Sequence, residues 1–317
     1  MIDTLIVVKN NHYGLTRDAE LLAGAIREFG VSVEVVGISE RKLVDRLVGR
    51  KLARRAVHIE RVFPQWLSAA QENFLIPNQE RFPRRHLRRL RRCDLILTKT
   101  MEACGAFAGQ GVPIEHLGFT SEDRFDPAVV RNWSRVLHLA GGSTLKGTDD
   151  VISLWDRHPE WPELVLVQKR QNAPARVADN VKLITGYIDD ADLRRLQNEC
   201  GIHLCPSRSE GWGHNIVEGL SCGALVITTD GAPMNEHIRP EFGLLVAAER
   251  SEARHLGTNH FVGLQALEQA IGAAIGMSWS AKQRMGELAR QRFVEIDSGF
   301  HARAKQLLGS SSLPIER

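Results

Sequence analysis

The most constraining feature of the chain is a pair of short apolar runs separated by a glycine-rich segment. One run is Gly201 to Cys205, ended by Pro206, and the other is Ala224 to Thr228. Apolar runs of this length, bounded by glycine and proline, predict buried β-strands. The residues between them predict a loop and then a helix that begins near Gly213. We therefore expect the order strand, loop, helix, strand, which is typical of an α/β sheet.

Two carboxylates, Glu210 and Glu218, lie on this loop and helix. In open α/β sheets, ligands bind outside the carboxyl ends of the strands. A helix start offers N–H groups and a positive dipole end to a phosphate, and Gly211 and Gly213 let the backbone approach a ligand closely. Carboxylates accept hydrogen bonds from sugar hydroxyls. We expect the two acids to reach different parts of one extended ligand.

The rest of the chain alternates predicted strands and helices, which favours mostly parallel sheets. Its 317 residues suit two domains. The polar segment Gly118 to Pro127 is typical of a linker. Further strands are predicted at 4–8, 32–37, 74–76, 94–98, 114–117, 136–140, 164–167 and 181–184, and further helices at 16–29, 81–92, 102–107, from 149 or 150, at 193–197 and at 300–308.

Charge is distributed unevenly. The net charge is +3, but residues 41–92 hold 15 basic against 4 acidic side chains, and residues 81–92 alone carry seven arginines, from Arg81 to Arg92. This run predicts either a solvated helix face or a patch that binds an anionic acceptor or an anionic membrane surface. Nucleic acid is a poorer match, because no aromatic residues interleave the arginines and no nucleic-acid motif is present.

Composition excludes several other classes. Apolar residues make up 43% and charged residues 25% of the chain, as in soluble globular proteins. No apolar run approaches the roughly 20 residues that span a bilayer, and the N-terminal run is too short for a signal peptide. The five cysteines form no Cys-x-x-Cys pair, which favours buried thiols in a reducing compartment. We expect a cytoplasmic protein, with a peripheral contact at the inner membrane face as one possibility.

The whole pattern resembles the donor-site signature of the retaining glycosyltransferases of family 4, whose fold is called GT-B. The resemblance implies two Rossmann-like α/β domains with mostly parallel sheets that face each other across a cleft. It divides the chain into an acceptor-side domain at 1–128, a nucleotide-sugar-binding domain at 129–298 and a terminal helix at 299–317 that crosses back. The matching residues are Pro206-Ser207, Glu210-Gly211-Trp212-Gly213, Glu218, Cys222-Gly223 and Asp230-Gly231, with a departure at His214-Asn215, where the family often has Leu-Pro.

The resemblance also implies roles for individual residues. Glu210 would bind donor-sugar hydroxyls and Glu218 the ribose, while Lys146 and the amides of Gly213 and His214 would stabilise the leaving phosphate. The family usually has an Arg about five residues before the lysine; here Gly141 stands there, and Lys169 and Arg170 are candidate substitutes. The full donor side comprises Gly142, Ser143, Lys146, Tyr187, Ile188, Glu210, Gly211, Trp212, Gly213, His214, Asn215 and Glu218.

On the acceptor side, two turns follow predicted strand ends. Asn78 lies in the turn after the predicted strand 74–76, where many family members have a histidine. His12, in the turn after the predicted strand 4–8, is a candidate replacement. The acceptor-side candidates are His12, Gly14, Asn78 and Glu80.

We predict no metal and no cofactor beyond the nucleotide-sugar co-substrate. Asp190-Ala191-Asp192 spells the Asp-x-Asp of metal-dependent glycosyltransferases. It precedes a helical run, where aspartate is favoured as a cap and in the first turn, so we interpret it as a helix start.

The predicted activity is retaining, metal-independent transfer of a sugar from a nucleotide-activated donor to an acceptor hydroxyl of a glycan, a lipid-linked saccharide or another anionic acceptor. Two alternatives remain. One is a non-catalytic glycosyltransferase-like binding subunit, favoured by the missing Arg and His; the other is a nucleotide-sugar epimerase. Hydrolase chemistry has no support, because no Ser-His-Asp or Cys-His set is present.

Overall fold

The computed structural model describes residues 2–9 and 14–309. Its contacts divide the chain into two compact units. The first contains residues up to Thr120, the short segment Ala253–Gly257, and the chain from Ile296 onward; the second contains Ser121–Glu252 and Thr258–Glu295. The divisions at 120 and 295 lie a few residues before the boundaries at 128 and 298 that the sequence predicts.

The first unit is built on a six-stranded sheet in the order β2-β1-β3-β4-β5-β6. Every neighbouring pair is parallel. Such strands are covered on both faces, which explains the nearly continuous burial of β1, β3 and β4. The strands are β1 Ile2–Val8, β2 Val33–Gly37, β3 Ala53–Glu60, β4 Ala70–Pro77, β5 Leu95–Thr98 and β6 Ile114–His116, and the α-helices are α1 Gly14–Glu28, α2 Leu43–Leu47 and α3 Met101–Phe107.

The sequence does not predict strand β3, because its apolar alternation is interrupted by basic residues. Arg55 is only 3% exposed in this strand. Its guanidinium lies 3.6 Å from Glu72 on the adjacent strand and donates a hydrogen bond to the Leu308 carbonyl at 3.1 Å. The charge is therefore buried with partners, a solution that a hydrophobicity pattern cannot reveal.

The arginine-rich segment is a 3-10 helix, Arg84–Arg92, rather than an α-helix. Its buried residues are His86 and Leu90. A 3-10 helix has three residues per turn, so side chains three apart lie in line. Arg85, Arg88 and Arg91 form one such line and all three are exposed.

The second unit is built on a seven-stranded sheet in the order β13-β12-β11-β10-β7-β8-β9. The pairs from β9 to β12 are all parallel. The predicted sequence of strand, loop, helix and strand around Gly213 is confirmed as β10, α6 and β11. The strands are β7 Asn132–Gly141, β8 Glu163–Gln168, β9 Val181–Ile184, β10 Cys200–Cys205, β11 Leu225–Asp230, β12 Gly243–Arg254 and β13 Gly257–Val262, and the α-helices are α4 Thr148–Arg157, α5 Asp190–Glu199, α6 His214–Ser221, α7 Leu264–Gly276 and α8 Trp279–Leu308.

The sequence also does not predict the hairpin of β12 and β13. The second half of β12 is exposed and charged, and only Gly243 and Val246 are buried in this strand, so the strand as a whole does not match the pattern of a buried strand. Its tip belongs to the first unit, where Leu256 donates a backbone hydrogen bond to Gln79 at 3.1 Å and packs on an apolar cluster that includes Phe82 and Leu90. Across residues 2–9 and 14–309, every helix is too short or too polar to cross a membrane.

Candidate functional site

The candidate site lies where the order of the second sheet reverses. Counted from β7, the strands run 3-2-1-4-5-6-7 across the sheet. The neighbours β7 and β10 therefore send their chains to opposite sides, and the loops that follow them lie together at one edge. This is the topological switch point at which open α/β sheets bind ligands. The loop after β7 carries Lys146 and the loop after β10 carries Glu210.

These two loops are in direct contact. The amide of Arg208 donates to the carbonyl of Leu145 at 2.7 Å. Gly147 has φ +69°, and a Cβ there would lie 2.5 Å from the carbonyl oxygen of Pro206. A side chain at this position would force the loops apart, so the glycine holds Lys146 close to the β10 loop.

Lys146 and Glu210 form an ion pair in this structure. The ammonium nitrogen lies 2.6 Å from Oε1 of Glu210 and also 2.6 Å from Oδ1 of Asn215. Both charged side chains are mostly covered, with 16% and 15% exposed. The geometry brings together three of the predicted donor-side residues, and a phosphate would compete with Glu210 for the lysine.

The helix that follows begins at a glycine in the left-handed region. Gly213 is the N-cap of α6 with φ +102°, a conformation that L side chains rarely adopt. The first N–H groups of a helix have no partner within the helix and can bind an anion. Asn215, the second residue of α6, binds Lys146, so the start of α6 lies beside this lysine at the switch point.

Trp212 and His214 flank this glycine, and both contact Ser121. The indole nitrogen of Trp212 donates to Ser121 Oγ at 3.2 Å, and His214 Nδ1 lies 2.8 Å from the same oxygen. Trp212 is only 7% exposed, so its ring packs inside the protein and supports the loop. His214 is half-buried and lies at the first position of α6.

His237 fixes the loop from the other side, a role that the sequence does not predict. Its Nε2 lies 2.6 Å from the Trp212 carbonyl and its ring packs edge-on against the indole, with the centroids 4.4 Å apart. Burial lowers the pKa of His237 to about 4. The imidazole is therefore neutral near pH 7, and its Nε2–H donates to the carbonyl.

The second predicted carboxylate, Glu218, is 2% exposed on α6. Its Oε2 accepts a hydrogen bond from Gln197 at 2.9 Å. Gln197 in turn accepts from the guanidinium of Arg124 at 2.9 Å. Neither Gln197 nor Arg124 is predicted from the sequence, because neither lies in the loop that carries the signature.

Lys169 lies beside the start of the β7 loop. Its amide donates to Gly141 at 2.8 Å, and its Cδ would lie 3.0 Å from a Cβ on Gly142. The lysine stem thus runs along Gly142, which is one of the predicted donor-side residues. Ser143 next to it accepts a hydrogen bond from the Leu145 amide at 3.1 Å and orders the loop.

Tyr187 and Ile188, two of the predicted donor-side residues, lie in the turn before α5, which the resemblance places under the nucleobase. Tyr187 is 93% exposed, and Ile188 is partly buried against an apolar cluster. The helix start predicted at Asp190 is present: α5 begins there, and the Asp189 side chain accepts from the Asp192 amide at 2.8 Å. Asp190 itself binds Arg124 at 2.8 Å.

On the acceptor side, the two polar candidates after β4 are buried in the first unit. Asn78 accepts a hydrogen bond from Lys99 at 2.9 Å, and Lys99 also pairs with Asp18 at 2.5 Å. Glu80 is 5% exposed, with Oε1 at 3.7 Å from Arg81. Gly14 is exposed as the first residue of α1, whereas His12 lies outside the described residues.

The chemistry of the other side chains near the site is limited. Cys205 ends β10, and burial raises the pKa of its thiol to about 12, so the thiol stays protonated and is a poor nucleophile. Among the residues that the structure describes, no group of three His, Cys, Asp or Glu side chains could hold a metal ion.

Comparison with known proteins agrees with this geometry. Residues 143–274 match the family model of the glycosyl transferases group 1. This segment contains the β7 loop, β10, the β10 loop and α6. The protein is a glycosyltransferase, and residues 143–274 are similar to this family. No curated protein matches the sequence.

Solved structures extend the likeness to the whole chain. A glycosyltransferase from Rickettsia africae has a TM-score of 0.73 at 14% identity, covering 97% of this chain and 98% of the other. WaaG, a glycosyltransferase involved in lipopolysaccharide biosynthesis, has a TM-score of 0.69 at 15% identity, with 97% and 100% covered. HepE of Anabaena, in complex with UDP-glucose, gives the same values. The predicted GT-B fold class is confirmed.

Proposed function

We propose that this glycosyltransferase moves a sugar from a nucleotide-activated donor to an acceptor hydroxyl with retention of anomeric configuration and without a metal. The observation that carries the proposal is the meeting of Lys146, Glu210 and the start of α6 at the switch point of the second sheet. A cation, a carboxylate and a helix N-terminus within one small site suit a sugar diphosphate, which presents hydroxyls at one end and phosphates at the other.

Each group has a chemical task in this proposal. When a diphosphate binds, Lys146 exchanges its contact with Glu210 for a phosphate oxygen, and Glu210 accepts hydrogen bonds from the sugar. As the bond from the anomeric carbon to the phosphate oxygen breaks, Lys146 and the first amides of α6 stabilise the charge on the leaving phosphate. The acceptor oxygen bonds to the same face of the carbon, and its proton passes to the departing phosphate.

A second cation, Lys169, is proposed to help stabilise the diphosphate without a metal. The family pattern has a second basic residue where this chain has Gly141, and the stem of Lys169 lies along Gly142 in the same loop. We propose that its ammonium supplies the second positive charge. HepE, which has the same fold, is described with UDP-glucose, and this supports a nucleotide-sugar as the donor.

For the acceptor, we propose an anionic glycan or lipid-linked saccharide that is drawn in by the arginine run, Arg81 to Arg92. Within the described chain, Arg81 alone of these seven pairs with a carboxylate, Glu80 at 3.7 Å. Burial and the charges of Arg89, Arg61, Arg85 and Arg88 lower the pKa of His86, which shows how densely positive this surface is. A cavity of about 520 Å³ lies beside it, lined by Pro83, Arg84, Arg85, Ala253 and His255.

The same surface supports a peripheral contact with an anionic membrane, at the cytoplasmic face in this proposal. WaaG, which shares the fold, is described as a glycosyltransferase involved in lipopolysaccharide biosynthesis, and this supports a lipid-linked saccharide as the acceptor.

The test is a transfer assay with a panel of nucleotide-sugars and the product anomer read by NMR. We expect one donor to be consumed, the product to keep the donor's anomeric configuration, and activity to persist in EDTA. Inversion of the anomer would contradict the mechanism. Complete loss in EDTA that a divalent metal restores would contradict metal independence, and conversion of the donor sugar without any acceptor would favour an epimerase.

A further inference from the structure

Arg124 is a buried charge close to the candidate nucleotide site. Its side chain is 1% exposed, and it lies in the first few residues of the second unit. A buried guanidinium requires partners for its N–H groups, and Arg124 has them in the two helices that carry Gln197 and Glu218.

On one side, the guanidinium grips the start of α5. Its Nη1 donates to both carboxylate oxygens of Asp190, at 2.8 and 2.9 Å, and its Nη2 donates to the Asp190 carbonyl at 2.9 Å. Bidentate contacts of this kind fix direction as well as distance. They hold the end of the turn that contains Tyr187 and Ile188.

On the other side, the guanidinium orients Gln197. Its Nε donates to Oε1 of Gln197 at 2.9 Å, which leaves the Gln197 amide nitrogen to donate to Oε2 of Glu218 at 2.9 Å. An amide can turn over and exchange its oxygen for its nitrogen. Arg124 removes that freedom, because only the oxygen can face a guanidinium.

The backbone of Arg124 also contacts both helices. Its amide donates to Ser221 Oγ on α6 at 3.0 Å, and its carbonyl accepts from Asn198 on α5 at 2.7 Å. Burial acts to lower the pKa of Arg124, but the hydrogen bond to Asp190 and the charges of Glu122, Asp190 and Glu218 outweigh it and raise the pKa. The guanidinium therefore stays charged while it connects both helices.

We propose that Arg124 is a positioning residue for nucleoside recognition, which holds the turn before α5 and the Glu218 carboxylate at a set separation for one nucleoside diphosphate. This rests on the proposed function together with the roles that the resemblance implies, with Glu218 at the ribose and the turn of Tyr187 and Ile188 at the base. Arg124 touches neither; it acts on the ribose through Gln197 and on the base through Asp190.

The ionic character of the network supports recognition as well as packing. The guanidinium is buried but the Asp190 side chain is 67% exposed, so this ion pair is weak evidence for stability. A carboxylate aimed by an oriented amide has a direction that apolar packing would not provide. The structure thus places a chain of directed hydrogen bonds under the two elements that a nucleoside would touch.

The test is a double-mutant cycle on nucleotide affinity. Calorimetry with UDP, GDP and ADP identifies the nucleotide that wild type binds best, and that nucleotide is the probe. Arg124→Lys keeps the charge but cannot form the fork, and Gln197→Leu breaks the relay while leaving Asp190 paired. Each should weaken binding about tenfold, as expected for loss of a directed hydrogen bond to a charged group.

The decisive variant combines Arg124→Lys with Glu218→Gln. Because part of the effect of Arg124 passes through Glu218, the loss in the double variant should be smaller than the product of the two single losses, whereas independent structural effects would multiply. Arg135→Lys is the matched control, because Arg135 in the same unit also has two carboxylate partners, Glu163 and Glu199. It should bind the nucleotide as wild type does.

Several outcomes separate this proposal from the proposed function. Wild-type affinity in both Arg124→Lys and Gln197→Leu, or multiplying losses in the double variant, would overturn the positioning role alone. Unchanged affinity in Glu218→Gln would remove Glu218 from the nucleotide site, and the proposed function would lose that residue. Absence of any nucleotide binding by folded wild type would overturn both. Gln197→Leu decides the matter if Arg124→Lys does not fold.

Discussion

At the scale of single residues, the site contains an ion pair whose two side chains are mostly buried. Lys146 and Glu210 satisfy each other while the loops hold them 2.6 Å apart. In the proposed function this pair receives a ligand that brings both phosphate and hydroxyls, because each partner can exchange the other for the substrate group that it matches. The contribution of this pair to the rate of sugar transfer then depends on the negative charge of the Glu210 carboxylate.

Glu210→Gln should therefore reduce transfer strongly while nucleotide affinity changes little. The amide keeps the shape of the side chain but accepts hydrogen bonds from the sugar less well, and it no longer pairs with Lys146 as an anion. We expect at least a hundredfold loss of turnover, on the order of 3 kcal/mol of transition-state stabilisation. The measurements are initial rates and calorimetric affinity, with exposed Glu241→Gln as the control. Equal turnover in mutant and wild type would remove Glu210 from the site.

At the scale of elements, the sequence predicts the strands and helices that follow local rules. It does not predict a strand whose burial depends on partners far away in the chain. The strand β10, the glycine at the start of α6 and the strand β11 are predicted because apolar runs and glycine act locally. Strand β3 is missed because Arg55 needs Glu72 and Leu308, which are far away in the chain, to be buried. The arginine-rich helix is predicted, but its 3-10 form is not.

The same division holds within the candidate site. The signature contains Glu210 and Glu218 in one local pattern, and the resemblance adds Lys146 in a glycine-rich loop of its own. The signature does not mark Arg124, Gln197 or His237. Their contacts with the site residues form only when separate segments of the chain fold onto the loop. No local sequence rule marks an arginine or a glutamine as a partner for a carboxylate more than 20 residues away.

The 3-10 form of the arginine run gives a prediction of its own. Arg85, Arg88 and Arg91 lie in line, about 6 Å apart, because three residues at a rise of about 2.0 Å complete a turn. Replacing all three with Gln should lower co-sedimentation with anionic vesicles about tenfold or more at low salt. Binding of wild type should also fall steeply as salt rises, because exposed charges are screened beyond about 8 Å at physiological ionic strength.

Its control removes the same charge elsewhere. Arg157, Arg176 and Arg239 are exposed residues of the second unit, and their joint replacement with Gln should leave vesicle binding near wild type. Nucleotide affinity should be unchanged in both triple variants. If vesicle binding and transfer to anionic acceptors depend neither on salt nor on the three aligned arginines, the run is a solvated helix face.

At the scale of the whole molecule, both units bury neutral histidines. Burial lowers the pKa of His58 in the first unit and of His138 and His203 in the second to about 4. His237 in the loop that supports Glu210 behaves in the same way. In the unfolded chain these side chains titrate near pH 6.5. Each therefore takes up a proton more readily when the chain unfolds.

The sign of the effect on stability follows from this difference. Between pH 6.5 and 4 the unfolded chain binds more protons than the folded one, so the free energy of unfolding falls as the pH falls. The contribution is fully present above pH 6.5, and each histidine removes up to about 1.4 kcal/mol per pH unit within the window. Urea unfolding at pH 7, 6 and 5, followed by tryptophan fluorescence, should show this loss well above the range in which carboxylates titrate.

A variant of one buried histidine separates this cause from other acid effects. In His203→Gln the amide can still donate to the Gln197 carbonyl, which His203 reaches at 2.9 Å, but the side chain no longer titrates. We expect the variant to lose less stability per pH unit than wild type. His158→Gln should not reduce the loss, because hydrogen bonds to Glu160 and Glu268 raise the pKa of that partly exposed histidine. A free energy of unfolding that stays constant from pH 7 to pH 5 would contradict the prediction, since four buried neutral imidazoles must then bind protons equally well folded and unfolded.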